Sequence, residues 1–324
     1  MRLKAIVRER YGPPGVLQLK EVEKPTPAEG RVLVRVRAAS LNKTDHYDLH
    51  PPTLIRLIAG QGLLKPKSRS MGSDLAGVVE SAGAKVERLK PGDEVFGSAP
   101  GALAEYASAR EDRLALKPAG VSFEEAAAVP IAAVTALQGL RDWGHVRPGQ
   151  KVLIYGASGG VGTFAVQLAK WFGTEVTAVC SARNVEQAIG LGADHVVDYE
   201  KEDFGKNGEK YDLILQINGA HSLLGYRRAL TQTGVYRMVG AINPIPQMMK
   251  TIVVGGLLSR SGGKSIGFMG IAKMNQRDLE LLGQLMQEGK VKPVVERVYA
   301  FSDVAEAFRH LDEGHARGKL VVRV

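Results

Sequence analysis

The 324-residue chain has one cysteine, Cys180, and that scarcity excludes both an internal disulfide and any metal site built from several cysteines. Cys180 ends the apolar run VTAVC and reads as a buried hydrophobe. Aromatic residues make up 6% of the chain and are not interleaved with basic ones, so the stacking platform that single-stranded nucleic acid needs is missing. No apolar run approaches the length required to span a bilayer. The opening MRLKAIVRERYG has no signal-peptide core, and the expected location is the cytoplasm. Acid is also scarce relative to base, leaving a net charge of +9. Such a charge suits either nucleic acid or phosphorylated ligands. Its dispersal, densest at Arg56, Lys65, Lys67 and Arg69, favours the second.

What is present points to a globular protein of two domains. The length exceeds that at which single cores usually split, and 44% apolar with 24% charged residues is an ordinary soluble composition. From Leu3 to about Lys117, short strands (LKAIV, VLQLKEV, RVLVRVRAA, LAGVVES, DEVFG, ALAEYAS, RLALK) alternate with Pro, Gly and charged turns, the pattern of a mostly β domain. Arg31 to Ala39 alternates charged with apolar residues, as expected of a strand with one wet face. Ser122 and Glu125 form a capping-box pattern, and Pro130 to Trp143 reads as a further helix.

Strand and helix then alternate from Lys151 to Val239, which argues a doubly wound parallel sheet. Its centre is KVLIYGASGGVGTFAVQLAKWFGTEVTAVCS, Lys151 to Ser181. Val152 to Tyr155 suit a strand buried on both faces, and Gly156, Gly159 and Gly162 follow at G-x-x-G-x-x-G spacing. Glycines there permit a tight turn, close approach of backbone N–H groups to a pyrophosphate, and close helix packing. With Ser158, Gly160 and Val161 they make a dinucleotide site whose helix N-terminus aims at the phosphates. A site for NAD usually ends its second strand with Asp or Glu, which holds the ribose 2′-hydroxyl. Here Ser181 and Arg183 occupy that end, and a guanidinium suits a 2′-phosphate, so NADP is expected. The apolar run Ile252 to Leu258 reads as a last strand or a subunit contact. Beyond about Arg260 come a strand at SIGFMG, a helix from Arg277 to Glu288, a strand from Pro293 to Tyr299, a helix from Asp303 to Glu313 and a closing strand KLVVRV.

Six segments in order and spacing resemble the medium-chain dehydrogenase/reductase superfamily, in its zinc-independent quinone oxidoreductase branch. They are AASLNKTD (Ala38 to Asp45), GSDLAGVVESAG (Gly72 to Gly83), LKPGDEVFG (Leu89 to Gly97), YGASGGVG (Tyr155 to Gly162), LGADHVVDY (Leu191 to Tyr199) and HARGKLVV near the end. The resemblance implies an α/β architecture: a doubly wound parallel-sheet (Rossmann) cofactor domain, residues 123–259, inserted in a discontinuous, mostly β GroES-like catalytic domain, residues 1–122 and 260–324. It further implies that Thr135, Val239, Gly240 and Ala241 lie near the nicotinamide and Tyr199 near the adenosine 2′-phosphate. Gln216 and Asn218, where relatives often show Asp, are either cofactor contacts or turn residues. Lys319 either reaches phosphate or is a solvated strand-end lysine. A homodimer paired through the edge of the cofactor-domain sheet is implied as well.

The zinc-dependent members of the superfamily bind metal through Cys, His and Cys. This sequence has Asn42, Ser73 and Ile131 at matching positions, with Asp74 as the adjacent acid. An amide, a hydroxyl and an alkyl group do not make the N/S sphere that zinc requires. Hydrogen bonds alone must then stabilise charge on a substrate oxygen, which suits quinones and α,β-unsaturated carbonyls. Asn42, expected to face the cleft beside the nicotinamide, and Tyr47, a phenol that stays neutral near pH 7, are the candidate donors. Their plainer alternatives are a helix cap for Asn42 and packing for Tyr47. Asp45 is expected to hold the loop or pair locally, not to do chemistry. Pro51 to Met71 is the least family-like stretch and is placed at the lip of the substrate pocket: Thr53 to Ile58 would face bulky acceptors, and the basic end is either solvated or attracts an acidic substrate. Two other readings stay open, an enoyl-thioester reductase and an NADP-fold protein that binds RNA or serves structurally.

Overall fold

The computed structural model describes residues 1–49, 51, 62, 65–219, 221–240, 244–259, 263–314 and 316–324. The expected Thr53 to Ile58 segment and Ala241 lie outside the described residues. The first stretch carries β1 (Arg2–Arg8), β2 (Leu17–Glu23), β3 (Arg31–Ser40), α1 (Lys43–Leu49), β4 (Asp74–Ala82), β5 (Glu94–Ser98), β6 (Tyr106–Arg110), β7 (Leu114–Leu116) and α2 (Phe123–Ala127). The middle carries α3 (Pro130–Gln138), β8 (Lys151–Tyr155), α4 (Gly160–Trp171), β9 (Glu175–Cys180), α5 (Val185–Gly190), β10 (His195–Asp198), β11 (Tyr211–Gln216), α6 (Leu223–Ala229), β12 (Leu230–Met238), α7 (Pro244–Ser259) and β13 (Ser265–Phe268). The last stretch carries α8 (Gln276–Gln287), β14 (Val295–Ala300), α9 (Val304–Asp312) and β15 (Lys319–Arg323).

The chain divides into two units, 1–131 with 274–324, and 132–273. Both joints fall later than the sequence suggests. The capping box at Ser122 and Glu125 forms as expected, but the helix it starts, α2, packs on β3 and β4 and so stays in the first unit. The strand at SIGFMG is a correction too: β13 pairs in parallel with β12 and completes the sheet of the second unit. Four residues carry too little pattern to reveal a partner. Pro130 to Trp143 is not one α-helix either, since α3 ends at Gln138 and a π-helical turn covers Gly139–Trp143.

In the first unit, the larger sheet runs β14-β15-β3-β4-β5-β7, with β6 also paired to β3. β3 lies in its middle, which explains why the expected wet face shrinks to Arg35 and Arg37: Val32, Leu33, Val34 and Ala38 to Ser40 are buried. Ser40 sits opposite Asp74 on one side and Val321 on the other, and Leu41 N–H donates to the Leu320 carbonyl at 2.9 Å. The ends of β3, β4 and β15 therefore meet just before α1 begins.

In the second unit, the parallel sheet has the order β10-β9-β8-β11-β12-β13. Strand order reverses between β8 and β11, the point at which open α/β sheets bind ligands beyond their carboxyl ends. The Ile252 to Leu258 run is not a strand but part of α7. Met248, Thr251, Val254 and Leu258 turn inward, while Met249, Ile252, Val253 and Leu257 stay exposed. Apolar residues on both faces hide the helical period. Gly255 lets the helix lie close to β13, since a Cβ there would meet Ile266 Cγ2 at 2.9 Å.

Helix α4 depends on similar closeness. A Cβ on Gly162 would stand 2.1 Å from the Gly156 carbonyl oxygen, whereas one on Gly159 finds no atom nearer than 3.9 Å. Gly162→Ala is expected to lower the thermal unfolding midpoint by several degrees, the effect of about 1–3 kcal/mol of overpacking, while Gly159→Ala unfolds like the wild type. Equal midpoints for all three proteins, measured by circular dichroism, would contradict this packing.

Candidate functional site

Four turns of the second unit stand side by side. The β8, β9, β11 and β12 registers align Tyr155 with Val179 and Gln216, and Gln216 with Met238. The residues that follow these strands are therefore neighbours. Gly156 has φ +86°, which a side chain rarely adopts, and the Gly156 and Ala157 N–H groups donate to the Val179 carbonyl at 3.1 and 3.2 Å. The next four residues, Ser158, Gly159, Gly160 and Val161, remain partly open to solvent. Gly159 caps α4 without a side-chain oxygen, leaving first-turn amides for an anion. Open space where a Gly159 Cβ would stand gives a phosphate room to approach, so the turn fits a dinucleotide pyrophosphate.

Beyond β9, the Ser181 hydroxyl accepts from Asn184 Nδ2 at 3.1 Å, and Arg183 is exposed. Tyr199 N–H donates to the Cys180 carbonyl at 3.2 Å, which brings the half-exposed ring to the same strand end. Asn218 N–H donates to the Tyr155 carbonyl at 3.3 Å beside Gly156. The N–H groups of Val239 and Gly240 donate to the Gln216 carbonyl at 2.7 and 3.4 Å. Gln216 itself is buried, its side chain bound to the Gly219 carbonyl and the Tyr236 hydroxyl. Thr135 is half-buried on α3, and Cys180 is buried as expected.

The first unit holds a separate polar cluster at the strand ends. Asn42 Nδ2 donates to Asp74 Oδ2 at 2.9 Å, while Asn42 Oδ1 accepts from Lys319 Nζ at 2.5 Å. Lys319 Nζ also donates to the Leu41 carbonyl at 2.8 Å and lies 3.9 Å from Asp74 Oδ2. The Ile131 N–H reaches both Asp74 oxygens at 3.2 Å. Asp45 accepts from Asn42 N–H at 2.8 Å and from the Ser73 hydroxyl at 3.1 Å. Asn42, Ser73 and Ile131 thus surround one buried pair of carboxylates. Asp45 does hold the loop, reaching back from the first turn of α1 as one half of a capping box.

Two expectations change. Lys319 is only 3% exposed, so it is neither solvated nor placed at phosphate; the register of β15 turns it into the cluster, where carbonyl and amide oxygens and a carboxylate offset its burial. Asn42 is 8% exposed and engages the cluster with both ends of its amide, so it neither caps α1 with its side chain nor points freely outward. Tyr47 is half-buried, with Lys43 Nζ 5.9 Å from its ring and His46 edge-on to it. Burial raises its pKa, keeping the phenol a neutral donor.

Zinc does not fit this donor set. Asn42 Oδ1 already faces an ammonium, the Ser73 hydroxyl donates to Asp45, and Ile131 offers only a backbone N–H. Among the described residues no group of three His, Cys, Asp or Glu side chains could hold a metal.

Burial lifts the Asp45 carboxyl to about 7, the Asp74 charge pushing the same way. Asp74 rises to about 6, again through burial, with the Lys319 ammonium pulling it back. Burial lowers the pKa of Lys319, opposed by the two carboxylates. Both carboxyls bind protons more tightly folded than unfolded, where their pKa is about 4. The stability these two carboxyls contribute is therefore fullest below about pH 4 and is lost as pH rises from there through about 7. In Asp45→Asn the decline in unfolding midpoint between those pH values is expected to be shallower than in the wild type; an unchanged slope would contradict the assignment.

Among the described residues no helix is long and apolar enough to cross a membrane. Residues 28–139 match the family model described as alcohol dehydrogenase GroES-like domain, and residues 191–322 match that described as zinc-binding dehydrogenase. A chloroplastic quinone-oxidoreductase homolog of Spinacia oleracea is 34% identical over 317 residues, covering 93% of this chain and 92% of the relative. A chloroplastic NADPH-dependent alkenal/one oxidoreductase of Arabidopsis thaliana is 33% identical over 339 residues, covering 99% of this chain and 79% of the relative. The solved quinone oxidoreductase from Coxiella burnetii superposes with a TM-score of 0.87 at 30% identity over 100% of both chains. The chain therefore belongs to the medium-chain dehydrogenase/reductase superfamily of nicotinamide-dependent oxidoreductases, in its quinone oxidoreductase branch.

Proposed function

We propose that this protein is a zinc-independent, NADPH-dependent reductase of quinones or α,β-unsaturated carbonyls. The observation that carries the reading is the donor set around Asn42: the positions that hold zinc in zinc-dependent members here hold an amide, a hydroxyl and a backbone N–H around buried carboxylates and a lysine. Relatives named as quinone oxidoreductases and as an alkenal/one oxidoreductase support the same acceptor class.

Bound NADPH supplies the hydride. The glycine turn and the first-turn amides of α4 hold its pyrophosphate, Ser181, Arg183 and Tyr199 take the 2′-phosphate, and Asn218, Val239, Gly240 and Thr135 edge the nicotinamide. When hydride adds to the conjugated carbon, negative charge moves to the acceptor oxygen, where hydrogen bonds must meet it. Asn42 supplies one such bond, and Tyr47 donates the proton that completes a saturated ketone or hydroquinone. A simple aldehyde leaves undelocalised alkoxide, which these neutral donors stabilise poorly. The exposed row Met249, Ile252, Val253 and Leu257 on α7 is the surface for a homodimer.

NADPH oxidation in chelator-treated protein is expected with a quinone or an enone and not with a simple aldehyde. Turnover of the aldehyde, or turnover that requires added zinc, would overturn the reading. Tyr47→Phe is expected to lower kcat roughly 10²-fold with the KM for NADPH unchanged. Arg183→Ala should raise the Kd for NADPH about tenfold, the loss of one charge-assisted contact, and leave that for NADH alone, as read by quenching of cofactor fluorescence.

A further inference from the structure

Lys319 is buried, and the oxygens its ammonium meets are the Leu41 carbonyl, the Asn42 amide oxygen and, further off, the Asp74 carboxylate. The ammonium holds Asn42 Oδ1 from one side while Asp74 holds Asn42 Nδ2 from the other. The two ends of the amide are thus told apart by charge: an oxygen belongs at the ammonium and an N–H at the carboxylate. Turning the amide over would place its oxygen against Asp74 and its NH2 against Lys319, replacing two charge-assisted hydrogen bonds with two repulsive contacts. Nδ2 carries two hydrogens. One goes to Asp74, and among the described residues the other has no acceptor.

We propose that Lys319 is the positioning residue for Asn42, locking its amide so that this second Nδ2–H is presented to the acceptor oxygen. The proposal rests on the reductase reading above. The lysine supplies no proton and touches no substrate; it acts through the amide alone. It also keeps Asp74 an acceptor. Without the neighbouring ammonium, the buried Asp74 carboxyl takes up a proton more readily and can donate to Asn42 Oδ1, which lets the amide face either way. The strand register makes the arrangement possible, because β15 and β3 bring Lys319 beside Leu41 although the two are far apart in sequence.

Three proteins and two readouts test this. Lys319→Met is expected to lower kcat for an enone roughly 10- to 100-fold, at or below the low end of the ~10²–10³-fold loss when an oxyanion donor is removed outright, because the amide is misaligned and not lost, with the KM for NADPH unchanged. The double variant Lys319→Met/Asn42→Ala should be no slower than Asn42→Ala, since a residue that acts only through Asn42 has nothing left to do. Multiplicative losses in the double variant, or wild-type kcat in Lys319→Met, would overturn the proposal. The second readout needs no turnover: the Asn42 side-chain amide in the ¹⁵N–¹H spectrum should show two widely separated proton shifts in the wild type and a narrowed, exchange-broadened pair in Lys319→Met. An unchanged pair would overturn it. If the wild type reduces no conjugated acceptor, the reductase reading fails while the spectrum still reports on the amide. Lys319→Gln covers a Met variant that does not fold: it keeps a donor for Oδ1 and should retain the separated shifts, and their collapse in that well-folded variant would also count against the lysine's role as a donor.

Discussion

A lysine and two aspartates buried together at the meeting of three strand ends set the terms for the rest of the first unit. None of these groups tolerates burial alone, because an isolated charge out of water is costly and removing one partner of a buried pair typically costs about 3–5 kcal/mol. The chain resolves this with backbone as well as side chains. Leu41 offers its carbonyl to the lysine, Ile131 its N–H to Asp74, and Asn42 its N–H to Asp45. These groups come from separate parts of the chain, so the cluster forms only when β3, β4 and β15 are in register. Fold and site are one constraint here, and the amide of Asn42 is the group that emerges from it oriented.

The second unit meets a different demand. A pyrophosphate would bring negative charge close to the backbone, and the proposed site offers a turn with little side chain and a helix end whose first-turn amides have no side-chain cap. Gly156, Gly159 and Gly162 each meet one part of that demand. The first adopts a positive φ, the second leaves room for the ligand, and the third lets α4 press onto the turn. Parallel pairing then places the residues after β9, β11 and β12 around it.

These two sites differ in how far the sequence discloses them. The dinucleotide turn is local, since strand, glycines and helix are contiguous, and its residues can be read in a line. The cluster is not. Asn42, Asp74 and Lys319 are separated by long stretches, and only the pairing of Ser40 with Asp74 and Val321 brings them together. The segment RGKLVV suggests only a phosphate contact or a solvated strand-end lysine, and no periodicity says that Lys319 turns inward or what it meets. The resemblance names Asn42 as a site residue without saying that its amide is held at both ends. In the same way, α7 is not readable as a helix because both of its faces are apolar, and β13 is too short to reveal its neighbour. Long-range register and two-sided apolarity are what a linear pattern does not contain.

The proposed reaction adds hydride to the carbon conjugated to the carbonyl, not to the carbonyl carbon itself. The most direct test follows a deuterium label from [4-²H]NADPH into an enone, using dialysed and chelator-treated protein and locating the label by NMR. Deuterium at the β-carbon of the saturated product is the predicted result. Deuterium on the carbonyl carbon of an allylic alcohol, or label transfer only after zinc is restored, would contradict it.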